Sequence, residues 1–199
     1  MKEQKTKKQV ISEQIKKLTL SAMFIALGLV LPFVTGQIPK VGNMLLPMHI
    51  PVFLCGLICG WQYGGVVGFV LPLMRSFMFG MPPIFPQAAS MALELMTYGL
   101  VVGLLYGLSR HQCIIALYRS LVISMLAGRA VWGVVQIIFY NMQGNEFTWK
   151  LFMSGAFLTA SPGILIQLLL IPAIMLALHK TGLVRFKRND HNHHTPKAT

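Results

Sequence analysis

The feature that most constrains this chain is its hydropathy pattern. Long apolar runs follow one another from about residue 18 to residue 178, broken by short stretches rich in glycine, proline, asparagine or basic residues. Runs of roughly 20 apolar residues match a hydrocarbon core about 30 Å thick, crossed by a helix rising about 1.5 Å per residue. A soluble domain carries about 25% charged residues, whereas here 11% are charged and 55% are hydrophobic. So few charges cannot keep the surface of a soluble protein wet. The pattern predicts an all-α integral membrane protein with no soluble catalytic domain.

Six spans are expected, at about 18–34, 47–60, 62–79, 87–108, 119–140 and 150–178. Residues 1–17 form a basic lead-in carrying six lysines, 18–180 a six-helix membrane domain, and 181–199 a basic and polar tail. The apolar run behind the basic start is long for a signal-peptide core and no A-x-A cleavage site follows, so it reads as a retained first span. Pro47 and Pro51 open the second span, where the missing N–H of a first-turn proline costs little. Pro82, Pro83 and Pro86 forbid regular helix and force an extended loop over 80–86.

The net charge of +12 raises the possibility of a nucleic-acid partner. The cations, however, cluster at the two ends and in one internal loop, beside apolar spans and without an aromatic platform for bases. They read instead as topology signals and contacts to anionic lipid. With the N-terminus inside, the inner side holds the six N-terminal lysines, Arg110, Arg119, Lys180, Arg185, Lys187, Arg188 and Lys197. The outer loops then hold Lys40 and Lys150, with Arg75 near an outer boundary. The asymmetry predicts a multi-pass protein of the cell membrane with both ends in the cytoplasm.

Three charges fall inside the spans: Arg75, Glu94 and Arg129. Each costs about 2.5–3.5 kcal/mol at the bilayer centre on insertion scales, so each should face protein or water. At 1.5 Å per residue, Arg75 lies about 5 Å, Glu94 roughly 10 Å and Arg129 about 16 Å below the outer ends of their spans. All three are expected to line one cavity open to the outside. Arg129, Trp132, Gln136 and Tyr140 recur at three- and four-residue steps on one face of span five. Gln87, Met91, Glu94 and Tyr98 do the same on span four. Facing polar and aromatic stripes describe the lining of a small-molecule pocket. The structural alternative is an ion pair of Glu94 with Arg129 or Arg75, and the two roles can coexist. Two arginines against one glutamate leave a spare positive charge, suited to an anionic or carboxylate-bearing ligand.

Glycines at four-residue spacing, Gly56, Gly60, Gly64 and Gly68 and then Gly99, Gly103 and Gly107, predict close helix packing. Cys55, Cys59 and Cys113 show neither a redox nor a zinc spacing. His49 has no cysteine or carboxylate near it in sequence and reads as a hydrogen-bonding residue, so no metal site and no cofactor are expected. There is no P-loop, HExxH or GxSxG. The alternative of an intramembrane enzyme would need a nucleophile or metal group at the active depth, and here one intramembrane carboxylate is visible with no motif around it. A channel of this size would show an internal repeat or oligomerise, and no convincing repeat is present.

These features together resemble the substrate-binding S component of energy-coupling factor (ECF) vitamin transporters. The resemblance rests on the six short spans and on Ala22-x-x-x-Ala26. It rests also on Leu46-Pro47-Met48-His49-Ile50-Pro51-Val52, on Gly80-Met81-Pro82-Pro83, and on Met91-Ala92-Leu93-Glu94-Leu95 with Tyr98-Gly99. It covers roughly 18–180. It implies that the chain captures a vitamin from outside and delivers it inward, and that it is not an enzyme. Energy would come from a separate module of a transmembrane coupling subunit and two cytoplasmic ATPases, with Ala22 and Ala26 docking on the coupling subunit. The first loop, the 80–86 loop and spans four to six would close over the ligand. The quoted segments look most like pantothenate-type members; cobalamin, pyridoxine and hydroxymethylpyrimidine stay open. The residues expected to bind substrate are Arg75, Glu94, Tyr98, Arg129, Trp132 and Gln136.

Overall fold

The computed structural model describes residues 2–34, 47–109, 112–144 and 161–180. Within them are six α-helices: α1 (Lys2–Val34), α2 (His49–Cys59), α3 (Trp61–Phe79), α4 (Ala89–Leu108), α5 (Ile114–Met142) and α6 (Ser161–Lys180). Four described segments are long and apolar enough to cross a membrane: Lys8–Phe33, Ile84–Leu108, Ile114–Met142 and Ser161–Lys180. The 19-residue α3 carries Arg75 close to its end. The 11 residues of α2 span only about 16 Å, half a bilayer.

Three boundaries differ from the sequence expectation. The basic lead-in and first span form one continuous helix, since nothing between Lys2 and Val34 breaks the backbone ladder before Pro32. The fifth helix begins at Ile114 rather than near residue 119. An exposed arginine such as Arg119 sits on a helix surface without ending it, and the preceding Ala116 and Leu117 are buried. The proline segment is extended only in part. Gly80, at φ 69°, ends α3 with its N–H on Ser76 O at 2.9 Å, and Phe85 is extended at φ −123° and ψ 134°. The Ala88 N–H then reaches Pro83 O at 2.9 Å, and a π-helical turn over Ile84–Ala88 leads into α4. The first loop at 35–46, residues 150–160 of the expected sixth span, and the tail from 181 lie outside the described residues.

The core is built around α2. Ten of its residues are buried, among them Val52, Phe53 and Cys55, and it packs against α1, α3, α4 and α6. Gly60, at φ 102°, reverses the chain between α2 and α3, a conformation that a side chain disfavours. Across this hairpin a Cβ on Gly64 would stand 2.5 Å from Gly56 Cα, and a Cβ on Gly56 would stand 2.7 Å from Gly99 O. A Cβ on Gly103 would stand 2.6 Å from Trp61 Cα. The backbones of α2, α3 and α4 thus meet directly, as small residues permit between membrane helices. At Gly107 there is room for a side chain, so the stripe ends at Gly103. Large apolar side chains such as Phe77, Leu108, Ile115 and Leu169 point outward, which suits a lipid surround.

Candidate functional site

α4 and α5 run side by side in opposite directions. At one end the Phe85 and Phe139 rings meet at 4.8 Å between centroids, and further along Gly128 lies against the Tyr98 ring. Between these levels Arg129 Nη1 stands 3.0 Å from Glu94 Oε1. Glu94 is 2% exposed and Arg129 6%, so the two charges are shut away from surroundings that would otherwise solvate them. Such a pair persists only if each partner neutralises the other and further hydrogen bonds complete the shell. Tyr98 provides one: its hydroxyl donates to Glu94 Oε1 at 2.7 Å. The helix period puts Glu94 and Tyr98 on one face of α4, one turn apart.

Below this group the site is closed by packing. The Tyr98 ring stacks on Phe53 of α2 at 5.0 Å with an interplanar angle of 30°, and lies 5.4 Å from the His49 ring. His49 is itself buried at the first residue of α2. Gly128 is required beside the Tyr98 ring, because a Cβ there would stand 2.5 Å from Tyr98 Cδ1. The absent side chain lets α5 approach closely enough for the next residue, Arg129, to reach Glu94. On the other side of the pair, along the same face of α5, stand the half-buried Trp132 and the buried Gln136. Among the described residues Gln136 Oε1 and Arg129 Nε are buried without a hydrogen-bond partner.

The expectation of one site holding all three intramembrane charges is not met. Glu94, Tyr98 and Arg129 come together with Gln136 and Trp132 on the adjoining turns. Arg75 does not join them: α3 turns it toward α1, where its guanidinium lies 5.9 Å from the centre of the Phe33 ring. Phe33 in turn meets Phe79 edge to face at 4.9 Å. The spare cation expected beside the pair is therefore on another helix face, held by an aromatic ring in place of a carboxylate.

Ala22 and Ala26 are exposed on α1. The opposite side of that helix packs inward, with Ser21 Oγ 3.5 Å from Cys55 Sγ, and with Gly28 so close that a Cβ would stand 2.5 Å from Leu71 Cδ2. Among the described residues no three potential metal ligands gather. A surface groove of about 380 Å³ is lined by Leu73, Met74, Phe77, Met78 and Ile84, all apolar, and by none of the residues of the charged pair.

Phe53, Phe85, Gly128 and Phe139 were not singled out from sequence. The phenylalanines sit in apolar runs with nothing to distinguish them. Gly128 did carry a signal: a glycine directly before an intramembrane arginine.

The family model for the ECF transporter substrate-specific component matches residues 16–175. The chain belongs to that family. The match runs from the middle of α1 into α6 and so includes every residue of the site just described. No curated protein and no solved structure matches the chain. As an S component it is the substrate-specific subunit of an ECF transporter, a membrane protein that takes a small-molecule substrate and works with the components of an ECF module. Its family is one of transporter subunits rather than enzymes.

Proposed function

We propose that this S component captures a water-soluble vitamin from outside the cell, with pantothenate as the best candidate, and delivers it inward. Energy comes from a separate module comprising a transmembrane coupling subunit and two cytoplasmic ATPases. In this reading six spans cross the plasma membrane, both ends are cytoplasmic, and the Phe85–Phe139 end of the bundle faces outward. The residues assigned to the substrate are Glu94, Tyr98, Arg129, Trp132 and Gln136, with Arg75 as an outlying cation at the outer end of α3. Ala22 and Ala26, exposed on α1, form the face that docks on the coupling subunit.

One observation carries the reading: a buried arginine contacts its carboxylate through Nη1 while its Nε has no partner among the described residues. A buried donor left unmatched costs about 1–3 kcal/mol, which a bound acceptor would recover. Pantothenate offers a carboxylate, the group that guanidinium binds best. Cobalamin, pyridoxine and hydroxymethylpyrimidine are the other candidates.

The test is to purify the protein from cells grown on complete medium, denature it, and identify the released small molecules by mass spectrometry. Pantothenate in stoichiometric amount is the expected result. Release of another vitamin replaces the substrate and keeps the transport role. A protein that releases none and binds none of the four candidates overturns the reading.

A further inference from the structure

α5 carries two buried polar groups of opposite hydrogen-bonding sense. Arg129 Nε is a donor and Gln136 Oε1 an acceptor, and both are without a partner among the described residues. Gln136 is 7% exposed and Arg129 6%, so solvent does not replace the missing partners. The residues are two turns apart on one helix face, about 10 Å along the axis. The floor beneath Arg129 is sealed by Tyr98 on Phe53, and beyond Gln136 stand the paired rings of Phe85 and Phe139. A guest satisfying both groups must lie along α5, past Trp132, with different chemistry at its two ends.

Charge narrows the guest further. Arg129 already shares its charge with Glu94 at 3.0 Å, and Arg75 lies over Phe33 on another helix. A phosphate ester, carrying roughly −1.5 to −2 at neutral pH, would find no second cation among the described residues of the site.

Resting on the capture reading, we infer that the site takes an elongated, at most singly charged ligand in one fixed direction. Its acceptor end, a carboxylate or carbonyl, goes down onto Arg129, and a hydroxyl or N–H donor faces Gln136 toward the outer mouth. For pantothenate this puts the carboxylate deep and the terminal hydroxyl outermost. Phosphorylation of that hydroxyl removes the donor and adds charge at the mouth, so the free vitamin is selected over its phosphate.

The experiment is isothermal titration of detergent-purified protein with pantothenate, its alcohol pantothenol and 4′-phosphopantothenate. Wild type is compared with Gln136→Leu, Gln136→Glu and Arg129→Gln, each checked for a cooperative melt. Wild type should prefer pantothenate to pantothenol, and should bind 4′-phosphopantothenate at least 100-fold more weakly. Gln136→Leu should weaken pantothenate and pantothenol alike, by about tenfold, the scale of one buried hydrogen bond. Gln136→Glu, which keeps an acceptor, should retain more affinity than Gln136→Leu. Arg129→Gln should erase the preference for pantothenate over pantothenol. Unchanged affinity in Gln136→Leu, or a preference that survives Arg129→Gln, overturns the orientation while leaving capture intact. Should wild type bind pyridoxine, hydroxymethylpyrimidine or cobalamin instead, pantothenate falls. The same variants titrated with that compound then decide the orientation: a loss in Gln136→Leu partly restored in Gln136→Glu supports it, and equal affinities overturn it. Binding to none of them overturns both.

Discussion

Glu94 is the one acidic residue the sequence places inside a span, and it is held by Arg129 from α5 and by the Tyr98 hydroxyl from its own helix. Removing one member of a buried ion pair leaves an uncompensated charge and costs about 3–5 kcal/mol, whereas removing both members can be nearly neutral. Glu94→Ala is therefore expected to lower the unfolding free energy in mild detergent by about that amount. The double substitution Glu94→Ala with Arg129→Met is expected to recover most of it. Equal destabilisation in the single and double variants would show that an uncompensated Arg129 charge is not what the single substitution costs. Tyr98→Phe removes a hydrogen bond to a charged acceptor, worth about 1.5–3 kcal/mol. It should weaken substrate binding through a misplaced Glu94 while the ring stays on Phe53, and a wild-type affinity in that variant would remove Tyr98 from the site. At this scale the sequence was informative where charge is rare. Glu94 and Arg129 stand out as ions in apolar runs, and helix periodicity extends them to Tyr98, Trp132 and Gln136. Arg75 stands out by the same rule, but rarity does not reveal direction. Whether a side chain on α3 faces α1 or the pair depends on how that helix is rotated, which the Gly64–Gly68 contact with α4 fixes and which no local pattern states.

Among the elements, α2, α3 and α4 form the tightest group because glycines remove the side chains between them. At Gly99 a Cβ would run into the Gly64 carbonyl, so the obstacle is backbone and cannot rotate away. Overpacking of a close-packed interior costs 1–3 kcal/mol even where side chains can shift, and here it should be larger. Gly99→Leu is expected to abolish folded protein, and Gly107→Leu, where space is open, to leave it intact. Normal yield and melting of Gly99→Leu in a size-exclusion and thermal assay would contradict this packing. The four-residue glycine spacing made the close approach readable from sequence. Its partners were not: the spacing on α4 meets α2 and α3 together, a three-body contact no single helix encodes. The helix ends were read less well than the helices. A basic residue marks a membrane boundary without marking a helix boundary, which is why α1 begins at Lys2 and α5 begins before Arg119.

For the whole molecule, the bundle is asymmetric. α2 is buried on nearly all sides, while α1 leaves Ala22 and Ala26 uncovered together with the larger Met23 and Leu27. Two alanines one turn apart make a shallow strip on which another helix can approach closely. Ala22→Trp and Ala26→Trp are expected to abolish cellular uptake of labelled pantothenate while leaving its affinity for the purified subunit unchanged. Loss of affinity in both would place these residues in the fold of the subunit instead.

The glycine contacts also sort the molecule into parts that can and cannot move. Backbones pressed together without side chains have no slack, so α2, α3 and α4 must travel as a block. α5 touches that block through side chains instead, Tyr98 against Gly128 and Phe85 against Phe139, and side chains can swing. Among the described residues, the charged contact across the boundary between α4 and α5 is one carboxylate gripping one guanidinium, so that seam rests on groups that can rotate where its neighbour rests on backbone.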